Sequence, residues 1–158
     1  MRMRSSKNKK AWSCFAVAAL LSLPVVAGAE SEPEDIIKYR QNVMKANGAN
    51  MGAIAAILQG KVPEYKDRLG DHARGVQAGT KNIPALFPDG SDFGDTEALE
   101  SVWKDRAGFK KRSDDTSKKA DALAKAVAGG DAKAIQARFR ELSDSCKACH
   151  KDFRKEQQ

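Results

Sequence analysis

The chain is poor in the side chains from which metal and catalytic sites are most often built. Only two of its 158 residues are histidines and three are cysteines, and aromatic residues make up 6% of the sequence. No segment shows sustained alternation of apolar and polar residues, which argues against a β-sheet protein. There is also no internal repeat and no low-complexity stretch, which argues against solenoids and largely disordered chains.

The first 29 residues have the pattern of an export signal. Five bases and no acid stand in the first ten positions, an apolar run covers residues 15–23, and Ala27-Gly28-Ala29 supplies small residues for cleavage. The apolar stretch contains serine, proline and glycine, so it would span a bilayer poorly. We predict a secretory signal peptide at residues 1–29, a mature domain at 30–158 and a periplasmic location in a bacterium. A retained amphipathic anchor is the alternative.

Removal of this leader changes what the charge and the cysteine count indicate. The full chain has 28 basic and 21 acidic residues, and its net charge of +7 would suit a nucleic-acid partner. Five of the bases and none of the acids lie in the leader, so the mature chain carries 23 bases, 21 acids and a net charge of +2. We therefore expect no nucleic-acid partner. Cys14 leaves with the leader, and the pair Cys146 and Cys149 remains.

Apolar residues recur at helical spacing over four segments, 34–59, 64–83, 96–128 and 131–153. The second segment is the weakest prediction, because Gly70, Gly75 and Gly79 each cost roughly 1 kcal/mol relative to alanine in a helix. Two glycines separate the last two segments, and Asp131 is a suitable N-cap for the fourth. The pattern predicts an all-α fold, an antiparallel four-helix bundle.

The most informative motif lies on the fourth predicted helix. Residues 146–150 are Cys-Lys-Ala-Cys-His, and C-x-x-C-H is the attachment signature of a c-type haem. Two thiols that add to the two vinyl groups of one haem must face the same way, as positions i and i+3 of a helix do. His150 lies four residues after Cys146, so its imidazole can reach the iron from the same face. The motif predicts one haem c, bound through Cys146 and Cys149.

Other interpretations of these residues fit less well. Zinc would want four ligands, and the mature chain offers two cysteines, His150 and His72. A thioredoxin-like redox pair belongs at the start of a helix beside a βαβ pattern, whereas this pair lies late in a C-terminal helix. A disulfide between cysteines three apart is sterically poor inside a regular helix. A haem-free helical interaction module is a further class, and the motif argues against it.

A C-x-x-C-H motif on the last helix of a four-helix bundle resembles the class II cytochromes c, the cytochrome c-prime family. Further segments resemble the family pattern along the mature chain: Lys38-Tyr39-Arg40-Gln41, Leu86-Phe87-Pro88, Val102-Trp103 and Phe153-Arg154. The resemblance implies that His150 is the proximal iron ligand and that Trp103 packs near the haem. It implies that Arg40 lies beside a haem propionate and Arg154 beside the proximal imidazole. Family members are often dimers through helices one and two, which leaves monomer and homodimer open.

The residue opposite the proximal histidine divides this family into two branches. It is apolar in the five-coordinate, gas-binding branch and an iron-binding methionine in the low-spin branch. Met44 falls at that position, five residues after Tyr39, in a stretch that resembles the low-spin branch. We expect Met44 and His150 to form a six-coordinate iron that transfers electrons, without enzymatic activity. The alternative is a five-coordinate protein that binds nitric oxide or carbon monoxide, with Met44 packed nearby.

Basic residues on the fourth predicted helix indicate a partner. Lys147, Lys151, Arg154 and Lys155 lie near the haem attachment point. We expect this basic patch to steer an acidic redox partner protein towards the haem. The alternative is an ordinary solvated helix face.

Overall fold

The structure is a computed structural model that describes residues 31–156. Its four long helices are α1 (Pro33–Leu58), α2 (Leu69–Thr80), α3 (Arg106–Gly129) and α4 (Ala132–Phe153). The 3₁₀ segments Pro63–Arg68 and Ile83–Leu86 flank α2, and the single turn Ser101–Lys104 precedes α3. The predicted all-α four-helix bundle is confirmed for these residues. The predicted signal peptide at 1–29 lies outside them.

Neighbouring helices pack in chain order, α1 on α2, α2 on α3 and α3 on α4, whereas a cavity separates α1 from α4. Two apolar clusters form the core. The first draws on all four helices and includes Ile54, Val76, Leu123 and Leu142. The second is rich in aromatic rings and includes Phe87, Phe109 and Phe153. The cavity lies where the two clusters meet, since Met51 and Cys146 pack on the first and Met44 and Cys149 on the second.

The third helix begins later than the sequence predicts. Residues 96–100 are not helical, and the chain leaves helical geometry again at Asp105, where φ is −117° and ψ is 62°. The Asp105 carboxylate accepts a hydrogen bond from Gly108 N at 2.9 Å and so caps α3. The kink places Trp103 on its own short turn, outside the long helix.

The second helix is shorter than predicted, and contacts with α1 explain two of its glycines. It spans Leu69–Thr80 and not 64–83, because the preceding segment is a 3₁₀ helix. Asn50 and Asn47 of α1 lie directly against Gly75 and Gly79, and a β-carbon at either glycine would collide with the facing amide. Close approach of α1 therefore requires the glycines that weaken α2 in isolation. None of the described helices is long and apolar enough to cross a membrane.

Candidate functional site

A cavity of about 660 Å³ lies between α1 and α4. Its volume falls within the range of about 300–1,000 Å³ that is usual for ligand and cofactor sites. The helix α1 lines it with Met44, Asn47 and Met51, and α4 lines it with Cys146, Cys149 and His150. Most of the surface that lines the cavity is apolar, although charged and polar side chains also border it. A large, flat, mainly apolar group held from α4 would suit this space.

The two cysteines reach the cavity as free, half-buried thiols. Burial raises the pKa of Cys146, and burial together with the nearby Cys146 raises the pKa of Cys149 to about 11. Both thiols are therefore neutral at pH 7. A reactive redox pair needs a lowered thiol pKa, so the thioredoxin-like interpretation loses its chemical basis. The disulfide interpretation does not match either, because the sulfur atoms are not joined.

His150 stands at the edge of the cavity, on the last turn of α4. The residue is exposed, yet loss of water from part of the ring lowers its pKa, and the charge of Arg154 lowers it further. Neutral imidazole is the form that binds a metal. Within residues 31–156 no group of three or more histidine, cysteine, aspartate or glutamate side chains is placed to hold a metal ion. The donor set of two thiols and one imidazole fits haem c.

Arg40 is 3% exposed and borders the cavity. Its Nη1 donates to Ser91 Oγ at 2.8 Å, and its Nη2 donates to Ser91 O at 2.8 Å and Thr96 Oγ1 at 2.6 Å. Its carbon Cζ lies 4.7 Å from the centre of the Phe87 ring. Burial lowers the pKa of Arg40, although the negative charge of Asp92 opposes this. All three acceptors are neutral oxygens, so a haem carboxylate would complement this buried cation.

The segment that Arg40 binds is also tied to the end of α4. Leu99 N donates to Phe153 O at 3.0 Å, and Lys155 N donates to Glu97 O at 2.8 Å. Ala98 and Arg154 form an isolated antiparallel bridge between these two bonds. Residues 95–98 thereby become one side of the cavity. Sequence reasoning missed Ser91 and Thr96, since two hydroxyl residues in a polar loop carry no distinctive pattern.

Arg154 and Trp103 occupy different places relative to the cavity. Arg154 is half-buried, lines the cavity and lies near His150. Trp103 is absent from the cavity lining and packs edge-on against Phe87, with ring centres 5.9 Å apart. Its Nε1 donates to Pro88 O at 3.0 Å. Trp103 therefore packs on Phe87, which lines the cavity, and does not line the cavity itself.

A second polar group near the thiols was also missed. Thr116 Oγ1 lies 2.8 Å from Ser145 Oγ, which donates to Asp115 Oδ2 at 2.9 Å. Lys119 Nζ donates to the same Asp115 oxygen at 2.7 Å. This network joins α3 to α4 one residue before Cys146. The sequence does not reveal this network, because Ser145 lies 30 residues after its partner Asp115.

One of the four bases in the basic patch at the end of α4 is paired with an acid. Lys147 Nζ lies 3.4 Å from Asp144 Oδ1, and Lys155 Nζ donates to Thr96 O at 2.9 Å. Lys151 is exposed, and Arg154 is half-buried. The acidic redox partner stays a prediction, as does the homodimer.

Comparison with known proteins finds cytochromes c' that are similar to this chain over most of its length. The chain is 35% identical over 140 residues to cytochrome c' from Rhodospirillum rubrum, covering 87% of this chain and 95% of that one. Its fold is similar to cytochrome c prime from Shewanella frigidimarina, with TM-score 0.75 and 36% identity over 81% of this chain and 100% of that one. Two variants of cytochrome c prime from Alcaligenes xylosoxidans, one with carbon monoxide and one with nitric oxide, match with TM-scores of 0.73 and 0.74. Each is 26% identical, over 81% and 82% of this chain and 100% of theirs.

These relatives overturn one prediction made from the sequence. They are cytochromes c', the branch described above as five-coordinate and gas-binding, and they do not support the low-spin branch. The prediction of a six-coordinate His/Met electron-transfer protein is therefore wrong. Met44 lines the cavity, but it packs as an apolar side chain against the cluster around Phe87. A methionine at helical spacing serves as well for packing as for ligation, so its position misled the sequence interpretation.

The match to the family extends through the whole described bundle. A family model described as Cytochrome C' covers residues 35–154, from the first turn of α1 to the residue after α4. One haem c is bound covalently in this family through a cysteine pair, and Cys146 and Cys149 supply that pair at the cavity. The chain belongs to the cytochrome c' family.

Proposed function

We propose that this protein is a five-coordinate haem c protein that binds a small diatomic gas, carbon monoxide or nitric oxide. The observation that supports gas binding is the similarity of this chain to cytochromes c', including variants that hold these gases. The haem supplies an iron atom that takes the gas as a ligand. The proposed role is binding without turnover.

In this proposal α4 holds the haem and its first iron ligand. Cys146 and Cys149 hold the porphyrin through thioether bonds, and neutral His150 binds the iron. Arg154 stands beside His150 and favours the neutral imidazole by its positive charge. Arg40, which also lines the cavity, would place a positive charge beside a haem propionate.

Met44 has a steric role in this proposal and does not bind the iron. It lies on α1, across the cavity from the helix that carries His150. Its half-buried, apolar side chain packs on the Phe87 cluster and keeps water out of that side. The space left beside Met44 therefore limits how large a ligand can approach.

We also propose export to the periplasm, with cleavage after Ala29. The basic start, the apolar run and the small residues of the first 29 positions support it. Intact mass measurement of the protein purified from the bacterial periplasm is expected to give residues 30–158 plus one haem. A cytoplasmic protein that retains residues 1–29 would contradict this.

The absorption spectrum of the purified holoprotein tests the gas-binding proposal. We expect high-spin bands in the ferric and ferrous states, and a shifted Soret band when carbon monoxide is added to the ferrous protein. A low-spin ferrous spectrum that carbon monoxide does not change would contradict it.

A further inference from the structure

Two asparagines of α1 contact α2 in the same manner. Asn47 lies against Gly79, and its Nδ2 donates to Gly79 O at 3.0 Å. Asn50, one turn further along, lies against Gly75, and its Oδ1 is 2.9 Å from His72 Nδ1. In both places the amide fills the space where a larger residue of α2 would have its β-carbon. Both contacts therefore join α1 to α2, Asn47 through the main chain of Gly79 and Asn50 through the side chain of His72.

The two asparagines differ in their relation to the cavity. Asn47 lines it, on the same stripe of α1 as Met44 and Met51, while Asn50 does not. The nearest atoms of the Asn47 amide to Gly79 include both Oδ1 and Nδ2, so its polar end lies against α2. Asn47 thus contacts α2 at its tip and borders the cavity along its side.

The position of α1 sets the width of the cavity. One route of contacts from α4 to α1 runs through α3 and α2, and a second runs from the end of α4 through residues 96–99 to Arg40. The hydrogen bond between Asn47 and Gly79 joins α1 to α2 one turn after Met44. A shift of α1 at that point would move Met44 relative to Cys146 and His150.

We infer that Asn47 is a positioning residue for gas binding, which acts by holding the Met44 segment of α1 against Gly79. This inference rests on the proposed function. The Asn47 amide does not need to touch the gas, since its contact with Gly79 holds α1 against α2 and so fixes where Met44 lies across the cavity from α4. Asn50 makes the same kind of tie away from the cavity and has no such role.

The test measures carbon monoxide association with the ferrous holoprotein by flash photolysis. In Asn47→Ala the tie is lost, α1 can move aside, and we expect association about threefold to thirtyfold faster than in wild type. The matched control Asn50→Ala is expected to lose comparable thermal stability and to stay within about twofold of the wild-type rate. A merely structural role would lower stability in both variants and leave both rates unchanged.

A second pair of variants tests the same contact from the other helix. Gly79→Ala drives a methyl group into the Asn47 amide and should also speed association, whereas Gly75→Ala should not. These variants keep the test valid if Asn47→Ala does not fold. Equal rates in the Asn47 and Asn50 variants would overturn the inference while the proposed function stands. A wild-type protein that binds no carbon monoxide would overturn the proposed function itself.

Discussion

Arg40 binds both the side chain and the main chain of Ser91. Its Nη1 donates to Ser91 Oγ and its Nη2 to Ser91 O, each at 2.8 Å, and Ser91 is completely buried. The same guanidinium reaches Thr96, so one side chain of α1 holds both ends of the loop that borders the cavity. Arg40 is therefore a structural anchor in addition to its proposed place beside a propionate.

Loss of this anchor should destabilise the protein strongly. Arg40→Ala removes the three hydrogen bonds that the guanidinium donates to Ser91 and Thr96, and we expect the free energy of unfolding to fall by about 2–4 kcal/mol. Arg40→Lys keeps the charge but lacks the forked geometry, so its loss should be intermediate. Urea unfolding followed by circular dichroism measures both. Lys38→Ala, an exposed neighbour on α1, is the control, and an equal effect there would contradict the anchor role.

The Asp115 network predicts a stability that depends on pH. The hydrogen bond from Lys119 lowers the pKa of Asp115, and Ser145 adds to this against the opposing effect of burial. A lowered folded-state pKa stabilises the protein above the ordinary value of 3.8, and this contribution is lost as pH falls through the folded pKa. Asp115→Asn should lower stability at pH 7 by less than about 1 kcal/mol, because the carboxylate is half exposed.

The difference in stability between Asp115→Asn and wild type should shrink as the pH falls from 3.8 through the lowered folded-state pKa of Asp115. Thermal unfolding of both proteins across pH measures this. Asp114→Asn is the control, since Asp114 pairs with Lys110 within α3 and makes no bond to α4. A stability gap that stays constant with pH would contradict the role assigned to the Asp115 charge.

Variants of Met44 distinguish packing from ligation. In Met44→Leu the volume and polarity change little, so the high-spin spectrum and carbon monoxide binding should be preserved. In Met44→Ala the added space should speed carbon monoxide association by about tenfold or more. Absorption spectra and flash photolysis measure both effects. A change of spin state in Met44→Leu would show that the thioether itself binds the iron.

The fourth helix should depend on its N-cap. Asp131 Oδ1 accepts hydrogen bonds from Lys133 N at 2.9 Å and Ala134 N at 3.2 Å. Asp131→Ala should lower the free energy of unfolding by about 1 kcal/mol, whereas Asp131→Asn retains the cap and should cost much less. Chemical denaturation checks the order, and equal losses in the two variants would contradict the capping role.

Much of the site could be predicted from local sequence. The spacing of Cys146, Cys149 and His150 identified haem c because one helical turn fixes which side chains share a face. Four periodic segments predicted the bundle, and Asp131 is the predicted cap. The start of α3 was missed because Asp105 caps it through a carboxylate contact that periodicity does not reveal.

The sequence by itself determined the bundle and the cofactor, because both follow from local spacing along a helix. Only the tertiary structure decided which distant residues bond to each other around the cavity: Arg40 with Ser91, Asn47 with Gly79, and Ser145 with Asp115. These pairs are 30 to 51 residues apart in the chain, so no local pattern specifies them. The glycines of α2 show the reason most clearly. They weaken the isolated helix, and they are required because the asparagines of α1 pack against them.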